Sequence, residues 1–365
     1  MSRSPILILS LLIAGAFVAL SAAFGGARGG GEDPVVEEAE AVVEDEPMTP
    51  AQEMLDLRLS EIGGGFAGHV GIAVRDIEGE RSLHFNGLEL FPQQSVSKLW
   101  VSLAALDLVD GGDLELTDRV RIRREDLTVF HQPIRDIVKT RGSFTTDYGD
   151  LIERALTRSD NTANDTLLRR VGGPSKVQDF LDDRGLESIR FGTDERTKQS
   201  AIAGLDWRQE YAMGKAFYDA RDEVPEARRR MAFEGYLADP MDGATPVGIV
   251  GALGLLAKGD LLSEDSTEYL LGVLERTRSG PRRLKGGTPA GWTMGHKTGT
   301  GQFFDGEQSG YNDIGILTAP DGTRYALAVM IARTRASYGE RMAMMQEVTR
   351  AAVAYHEAKR AAEES

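Results

Sequence analysis

Strand-like stretches lie at both ends of this chain with a long helical stretch between them, and that order admits few folds. His69 to Val74 and Arg81 to Phe85 read as two strands turned through Asp76-Ile77-Glu78-Gly79. Trp292 to Lys297, Asn312 to Thr318 and Tyr325 to Ile331 read as three more, with Asp321-Gly322 as the hairpin turn between the last two. A helix is expected from Thr49-Pro50 to the Gly63-Gly64-Gly65 stop, helical patterning from about Lys98 to Arg278, and a final helix from about Gly339 to Ala362. One five-stranded antiparallel sheet, assembled from both chain ends with flanking helices and an inserted all-helical subdomain, satisfies this order. The expected class is α+β, an α/β/α sandwich. Residues about 50–93 and 280–362 supply the sheet part of a 50–362 domain, and about 94–279 the helical part.

Ahead of that domain, Arg3 precedes an apolar run from Pro5 to Leu20, and Ser21-Ala22-Ala23 offers a small-x-small cleavage site. Residues 1–23 therefore read as an export signal, with an uncleaved membrane anchor as the alternative, since Ile6 to Phe24 is long enough to span a bilayer. Residues 24–49 read as a disordered acidic linker; between Gly25 and Pro50 there are eight acids and one base. The whole chain has 365 residues and a net charge of −15, which argues against a nucleic-acid partner. It has no cysteine, which removes disulfides, thiolate metal sites, a cysteine nucleophile and a lipid-modified cysteine from consideration.

Three short motifs carry chemistry. Ser95-Val96-Ser97-Lys98 opens an apolar helical run, so Ser95 and Lys98 share one helix face. Unpaired backbone N–H groups at a helix start can hold an oxyanion, and a buried lysine near other cations can lose its proton and act as a base. Ser159-Asp160-Asn161 falls at an expected helix–helix turn, where its bland reading is an N-cap. Lys297-Thr298-Gly299-Thr300-Gly301 ends a strand. Each motif alone is close to noise. Together, and in this order, they supply a nucleophile, two amines, a bridging hydroxyl and an anion site.

The trio resembles that of the penicillin-recognising serine hydrolases. Thr162-Ala163, Gly172-Gly173-Pro174, Pro289-Ala290-Gly291-Trp292 and Gly259-Asp260-Leu261-Leu262-Ser263 are similar to the class A β-lactamase branch. The resemblance covers roughly residues 50–360 apart from one insertion. It implies that Ser95 attacks the substrate carbonyl, that Ser159 relays a proton to the leaving nitrogen, and that Asn161 holds the substrate amide. Lys297 would supply positive charge, the hydroxyls of Thr298 and Thr300 would hold a substrate carboxylate, Gly299 would let the substrate lie along the strand edge, and the N–H groups of Ser95 and Thr300 would form the oxyanion hole. Arg283 stands fourteen residues before Lys297, where a subset of the family keeps a carboxylate-binding arginine, and Phe130 falls at an aromatic wall position. His296, where many members carry an acid, reads as a strand residue.

Turnover needs a base that activates water against the acyl-enzyme. The family's Glu-x-x-Leu-Asn string is absent, but ungapped counting places Glu195 at the glutamate and Gln199 at the asparagine. The alternative for Glu195 is an exposed charge in the polar Thr193-Asp194-Glu195-Arg196. Asp242 resembles the acid that closes this loop, while its usual arginine partner aligns with Thr193. About 200–243 form an enlarged insertion, helical from Trp207 to Tyr236 and broken at Pro225, expected over one rim of the cleft.

The implied function is an exported serine β-lactamase, in which Lys98 or a Glu195-bound water deprotonates Ser95. The alternatives are a D-alanyl-D-alanine carboxypeptidase or penicillin-binding protein acting on peptidoglycan stem peptides, or a β-lactam-acylated sensor without turnover. No cofactor or metal is called for: the five histidines are scattered and no His-Glu-x-x-His occurs. No Gly-x-Ser-x-Gly elbow is present, and nothing demands more than a monomer.

Overall fold

A computed structural model describes residues 47–79 and 81–364. The expected export signal, and all but the last three residues of the expected linker, lie outside the described residues. Helix α1 (Pro50–Gly64) starts where Thr49 and Gln52 close a capping box around Pro50. Strands β1 (Gly68–Asp76), β2 (Ser82–Phe85) and the short β3 (Phe91–Pro92) follow.

The helical part then runs through α2 (Lys98–Asp110), the strands β4 (Arg119–Ile122) and β5 (Phe144–Asp147) around α3 (Ile134–Arg141), and α4 (Tyr148–Thr157). It continues with α5 (Asn161–Val171), α6 (Pro174–Asp182), α7 (Glu195–Ile202), α8 (Ala216–Glu223) and α9 (Glu226–Ala238). Strand β6 (Gly243–Ala244) pairs with β3, and α10 (Pro246–Lys258) and α11 (Glu264–Glu275) complete this part. The chain returns to the sheet as β7 (Thr293–Thr300), β8 (Phe303–Phe304), β9 (Glu307–Ser309), β10 (Tyr311–Thr318) and β11 (Arg324–Thr334), and ends in α12 (Tyr338–Glu363).

The sheet has the order β2-β1-β11-β10-β7, antiparallel throughout. That is the expected five-stranded path built from both ends. Two further strands enlarge it to seven: β8 pairs with β9, and β9 with the end of β11. Segments of two and three residues are too short for a period-two pattern to reveal them.

Alternation along β11 explains the two layers. Tyr325, Leu327, Val329 and Ile331 face α1 and α12, where Leu55, Leu59, Met345 and Val348 are buried with them. Ala326, Ala328 and Met330 face the other way, into a core shared with Trp100, Leu103 and Leu253 of the helical part. Small residues on that face let α10 pack directly on the sheet.

One side chain stitches the sheet to the segment that carries Ser95. The amide of buried Asn312, on β10, donates to Pro92 O at 2.7 Å and Gln93 O at 3.0 Å, and accepts from Ile331 N at 3.0 Å. Asn312→Leu strands two carbonyls and an N–H in the core, so it is expected to cost about 2–4 kcal/mol in urea unfolding. A loss below about 1 kcal/mol would contradict this role.

Candidate active site

Ser95 sits in a 3-10 turn, Gln94–Ser97, that runs directly into α2. The turn is sharp because Gln94 adopts φ 53°, a left-handed conformation that a non-glycine residue holds only when its surroundings insist. Gln94 is restrained on every side. Its N–H donates to Asp242 Oδ2 at 2.9 Å, its Nε2 to Tyr236 Oη at 2.8 Å and Ser309 O at 2.9 Å, and its Oε1 accepts from Gln199 Nε2 at 2.9 Å.

One turn on, the Lys98 ammonium is wholly enclosed and bridges Ser95 Oγ at 2.8 Å and Glu195 Oε1 at 2.7 Å. Glu195 is 2% exposed, so the reading as a surface charge is wrong. It occupies the first turn of α7, which Asp194 caps, and it is met by Lys98 of α2, by Asp165 of α5, which accepts from its N–H, and by Lys198. Gln199 lies one turn later and donates from Nε2 to Glu195 Oε2 at 3.3 Å. A carboxylate and an amide therefore lie side by side beside the nucleophile's lysine, the arrangement needed to orient a water.

The second amine comes from β7. Lys297 Nζ, fully buried, donates to Ser159 Oγ at 3.2 Å and Thr298 O at 2.7 Å. Ser159 takes φ 55° at the α4–α5 junction. Asp160 does cap α5, accepting from Thr162 N at 2.9 Å and Ala163 N at 3.1 Å, and its other oxygen accepts from Ile134 N at 2.9 Å. The cap and the Ser159-Asp160-Asn161 motif are one structure. Asn161 Nδ2 donates to Val129 O at 2.9 Å, which fixes the segment ending in Phe130.

At the strand end Thr298 Oγ1 lies 2.8 Å from Ser279 Oγ, and Arg283 Nη2 donates to Thr300 Oγ1 at 2.6 Å. Arg283 also donates to Gly299 O at 2.9 Å and Asn312 O at 2.6 Å, and its guanidinium lies 3.7 Å from the centre of the Tyr311 ring. It is buried, not a surface arginine. A Cβ on Gly299 would stand 2.3 Å from Gln93 O, so only glycine lets β7 approach the turn before Ser95 this closely. His296 is enclosed and bonds Asp313 at 2.9 Å, away from the cleft wall.

Ser95, Ser159, Asn161, Gln199, Arg283, Thr298, Thr300 and Phe130 all line one cleft of about 430 Å³. Lys98 and Lys297 lie immediately behind the two serines they bond. The positions singled out in the sequence thus converge. Phe130 both packs, 4.8 Å from the ring of Phe217 on α8, and faces the cleft. From the insertion Arg221 of α8 lines this cleft; the helical stretch expected from Trp207 starts only at Ala216, after a 3-10 turn at Gln209–Ala212, and breaks at Pro225 before α9. Among the described residues no cluster of His, Cys, Asp or Glu could hold a metal ion.

Sequence reasoning missed Lys198. Thr193, at the arginine's position, offers no charge to Asp242, and Lys198 supplies it instead, with Nζ 3.1 Å from Asp242 Oδ2. The same ammonium reaches Glu195 Oε1 at 3.2 Å and Gln94 O at 3.2 Å, and is 2% exposed. Its spacing from Glu195, one helical turn, was the available signal. Tyr236 was also missed; its hydroxyl donates to Asp242 Oδ1 at 2.9 Å, and the insertion thereby braces the loop.

Burial alone would raise Glu195, but the charges of Lys198 and Lys98 and their hydrogen bonds outweigh it and hold the carboxyl well below the ordinary glutamate range. Burial, opposed by the charge of Glu195, lowers Lys98. Burial, then the charges of Lys98 and Arg283, pushes Lys297 well below the lysine range. Asp165, which accepts from Glu195 N at 3.1 Å, is raised to about 7, first by burial and then by Asp194 and Glu195.

Comparison with known proteins agrees with this geometry. The profile of the β-lactamase enzyme family matches residues 54–356. Extended-spectrum β-lactamase PER-1 of Pseudomonas aeruginosa is 29% identical over 301 residues, covering 82% of this chain and 86% of its own. β-Lactamase VEB-1 of the same organism is 25% identical over 282 residues, covering 77% and 83%. A β-lactamase structure from Chitinophaga pinensis superposes with a TM-score of 0.67 at 28% identity, covering 81% of this chain and 97% of its own. An ancestral class A β-lactamase gives 0.63 at 30% identity, covering 82% and 98%.

Two predictions follow from the buried charges. Removing the Lys198 ammonium, as in Lys198→Met, lets the Glu195 pKa rise, so the acidic limb of the pH profile of hydrolysis should move to higher pH by about one unit or more. An unmoved limb contradicts the coupling. Asp165 binds more protons folded than unfolded, so its contribution to stability is present below about pH 4 and is lost as the pH rises through about 7. Asp165→Asn should therefore raise the thermal midpoint above pH 7 and leave it nearly unchanged near pH 4. An equal shift at both pH values contradicts this.

Proposed function

The chain belongs to the β-lactamase enzyme family and is a β-lactam hydrolase, and we propose that its chemistry runs through an acyl-enzyme on Ser95. The observation that carries this reading is the single buried ammonium of Lys98 joining Ser95 Oγ to Glu195 Oε1. Nucleophile and hydrolytic base are thereby held on one proton path.

In acylation, Lys98 gives a proton to Glu195 and takes the hydroxyl proton of Ser95 as Oγ bonds to the lactam carbonyl. The N–H groups of Ser95 and Thr300 stabilise the oxyanion. The lactam C–N bond then breaks; Ser159 passes its proton to the nitrogen and draws one from Lys98, and Lys98 takes back the proton that Glu195 held. The substrate carboxylate rests against Thr298, Thr300 and Arg283, and Asn161 holds the acyl amide. In deacylation, Glu195, freed of its proton and aided by Gln199, deprotonates a water. The hydroxide attacks the ester carbonyl, the ester C–O bond breaks, and the proton taken by Glu195 returns through Lys98 to Ser95 Oγ.

A carboxylate between two ammonium groups is ionised throughout the neutral range, which suits a base, yet the same charges weaken its pull on a proton. Lys198 thus trades base strength for a fixed position. The small-molecule partner is the β-lactam itself. Segment 1–23 acts as the export signal in this reading, and the enzyme works as a monomer outside the cytoplasm.

Mass spectrometry after mixing with a penicillin tests the mechanism. The parent enzyme should return rapidly to free mass, and Glu195→Gln should accumulate a penicilloyl adduct on Ser95. A long-lived adduct on the parent enzyme would favour a penicillin-binding protein or sensor. Undiminished turnover by Glu195→Gln would remove Glu195 as the deacylating base.

A further inference from the structure

The cleft carries more positive charge than a β-lactam nucleus needs. Among its described lining residues Arg158, Arg221 and Arg283 are charged and no carboxylate occurs, in a chain whose net charge is −15. The nucleus bears one carboxylate, and Arg283 with Thr298 and Thr300 already forms its anchor. Arg221 belongs to a different wall. It stands on α8, within the insertion, and its guanidinium lies 5.3 Å from the centre of the Tyr218 ring. Tyr218 in turn meets Phe130 edge-on at 5.9 Å.

The position of this wall follows from the bound geometry, and so rests on the reading given under Proposed function. A β-lactam's ring carboxylate and its acyl side chain project from opposite ends of the fused ring system. With the carboxylate at Thr298 and Thr300 and the amide at Asn161, the side chain leaves towards Val129, which Asn161 holds directly, and hence towards Phe130. Arg221's ionic contact is long, 3.4 Å to Asp222, whose side chain is 66% exposed. Such a surface pair is worth little and yields readily to a better anion. The Arg221 side chain is 21% exposed, so it can meet a ligand while water is partly excluded.

We propose that the insertion builds a second anion subsite, with Arg221 as its charge and Phe130 and Tyr218 as its aromatic wall. The favoured substrates are β-lactams whose acyl side chain carries an aryl group and a second carboxylate. Aromatic rings stack on the aryl group, the guanidinium meets the acid, and an arginine-lined concavity focuses the field that draws in a dianion.

Benzylpenicillin and its α-carboxy derivative differ by that one carboxylate, so the ratio of their kcat/KM values is the readout. The parent enzyme should favour the dianion at low ionic strength, and added salt should erode the preference. Arg221→Met should lower the ratio, dianion over monoanion, about tenfold, equivalent to 1.4 kcal/mol, and Arg221→Lys should retain most of it. Thermal midpoints matched to the parent show that neither variant acts through folding. A ratio that Arg221→Met leaves unchanged, with benzylpenicillin still turned over, overturns the subsite alone. Failure of both penicillins to acylate Ser95 in the parent enzyme overturns the reading beneath it as well.

Discussion

Two ammonium groups and two carboxylates stand in one buried row, Lys98, Glu195, Lys198 and Asp242, each within 3.2 Å of the next. Buried ions are tolerable only when paired, and here the pairs sum to zero net charge. The row joins three stretches far apart in sequence: the turn into α2, the first turn of α7, and the end of the insertion. Removing any member leaves an uncompensated charge in a dry interior, so the order of the whole loop depends on this balance. Lys297 lies outside the row, without a carboxylate among its hydrogen-bond partners, and burial with the charges of Lys98 and Arg283 holds it well below the lysine range.

Strain is concentrated where the chemistry is. Gln94, Phe130 and Ser159 all hold positive φ, and the other non-glycine residues that do so among those described, Asn86 and Asp305, are side chains that favour turns. Gln94 aims Ser95, Ser159 aims its own hydroxyl at Lys297, and Phe130 turns its ring to the rim. Each is fixed by bonds from a distant segment: Asp242 for Gln94, Lys297 for Ser159, and Asn161 through Val129 for Phe130. The site is assembled by the tertiary structure and not by local preference.

Much of this was legible in the sequence. Strand periodicity at both ends showed five strands and one antiparallel sheet, though not their order, and Thr49-Pro50 marked the start of α1 through its own cap. Ser95, Lys98, Ser159 and Lys297 were recoverable only together, because three motifs that are each close to noise occur in one order that resembles a known family; the bond between Ser159 and Lys297 appears only in the fold. Glu195 was ambiguous because a polar run looks the same whether it lies in water or lines a sealed pocket. Lys198 was hidden for a related reason: a lysine among Arg196 and Asp194 reads as surface, and only contact with Asp242, in a segment distant in sequence, reveals the pairing. Gln94 and Tyr236 gave no signal, since their roles exist only after folding. The short β8 and β9 fall below the length at which alternation can be read.

The nearness of Gly299 to Gln93 divides the labour within the cleft. The slot between β7 and the turn bearing Ser95 is bounded by main chain on both sides, with no room for even a methyl group. Its width is set first by the two main chains, with the side chains of Asn312 and Val96 beside them at 3.3 Å from a Cβ placed on Gly299. Diversity among descendants of such a chain must therefore come from the periphery, from Phe130, Phe303 and the graft that carries α8, while the floor stays invariant in shape. The catalytic gauge is set in backbone, and selectivity is left to the margins.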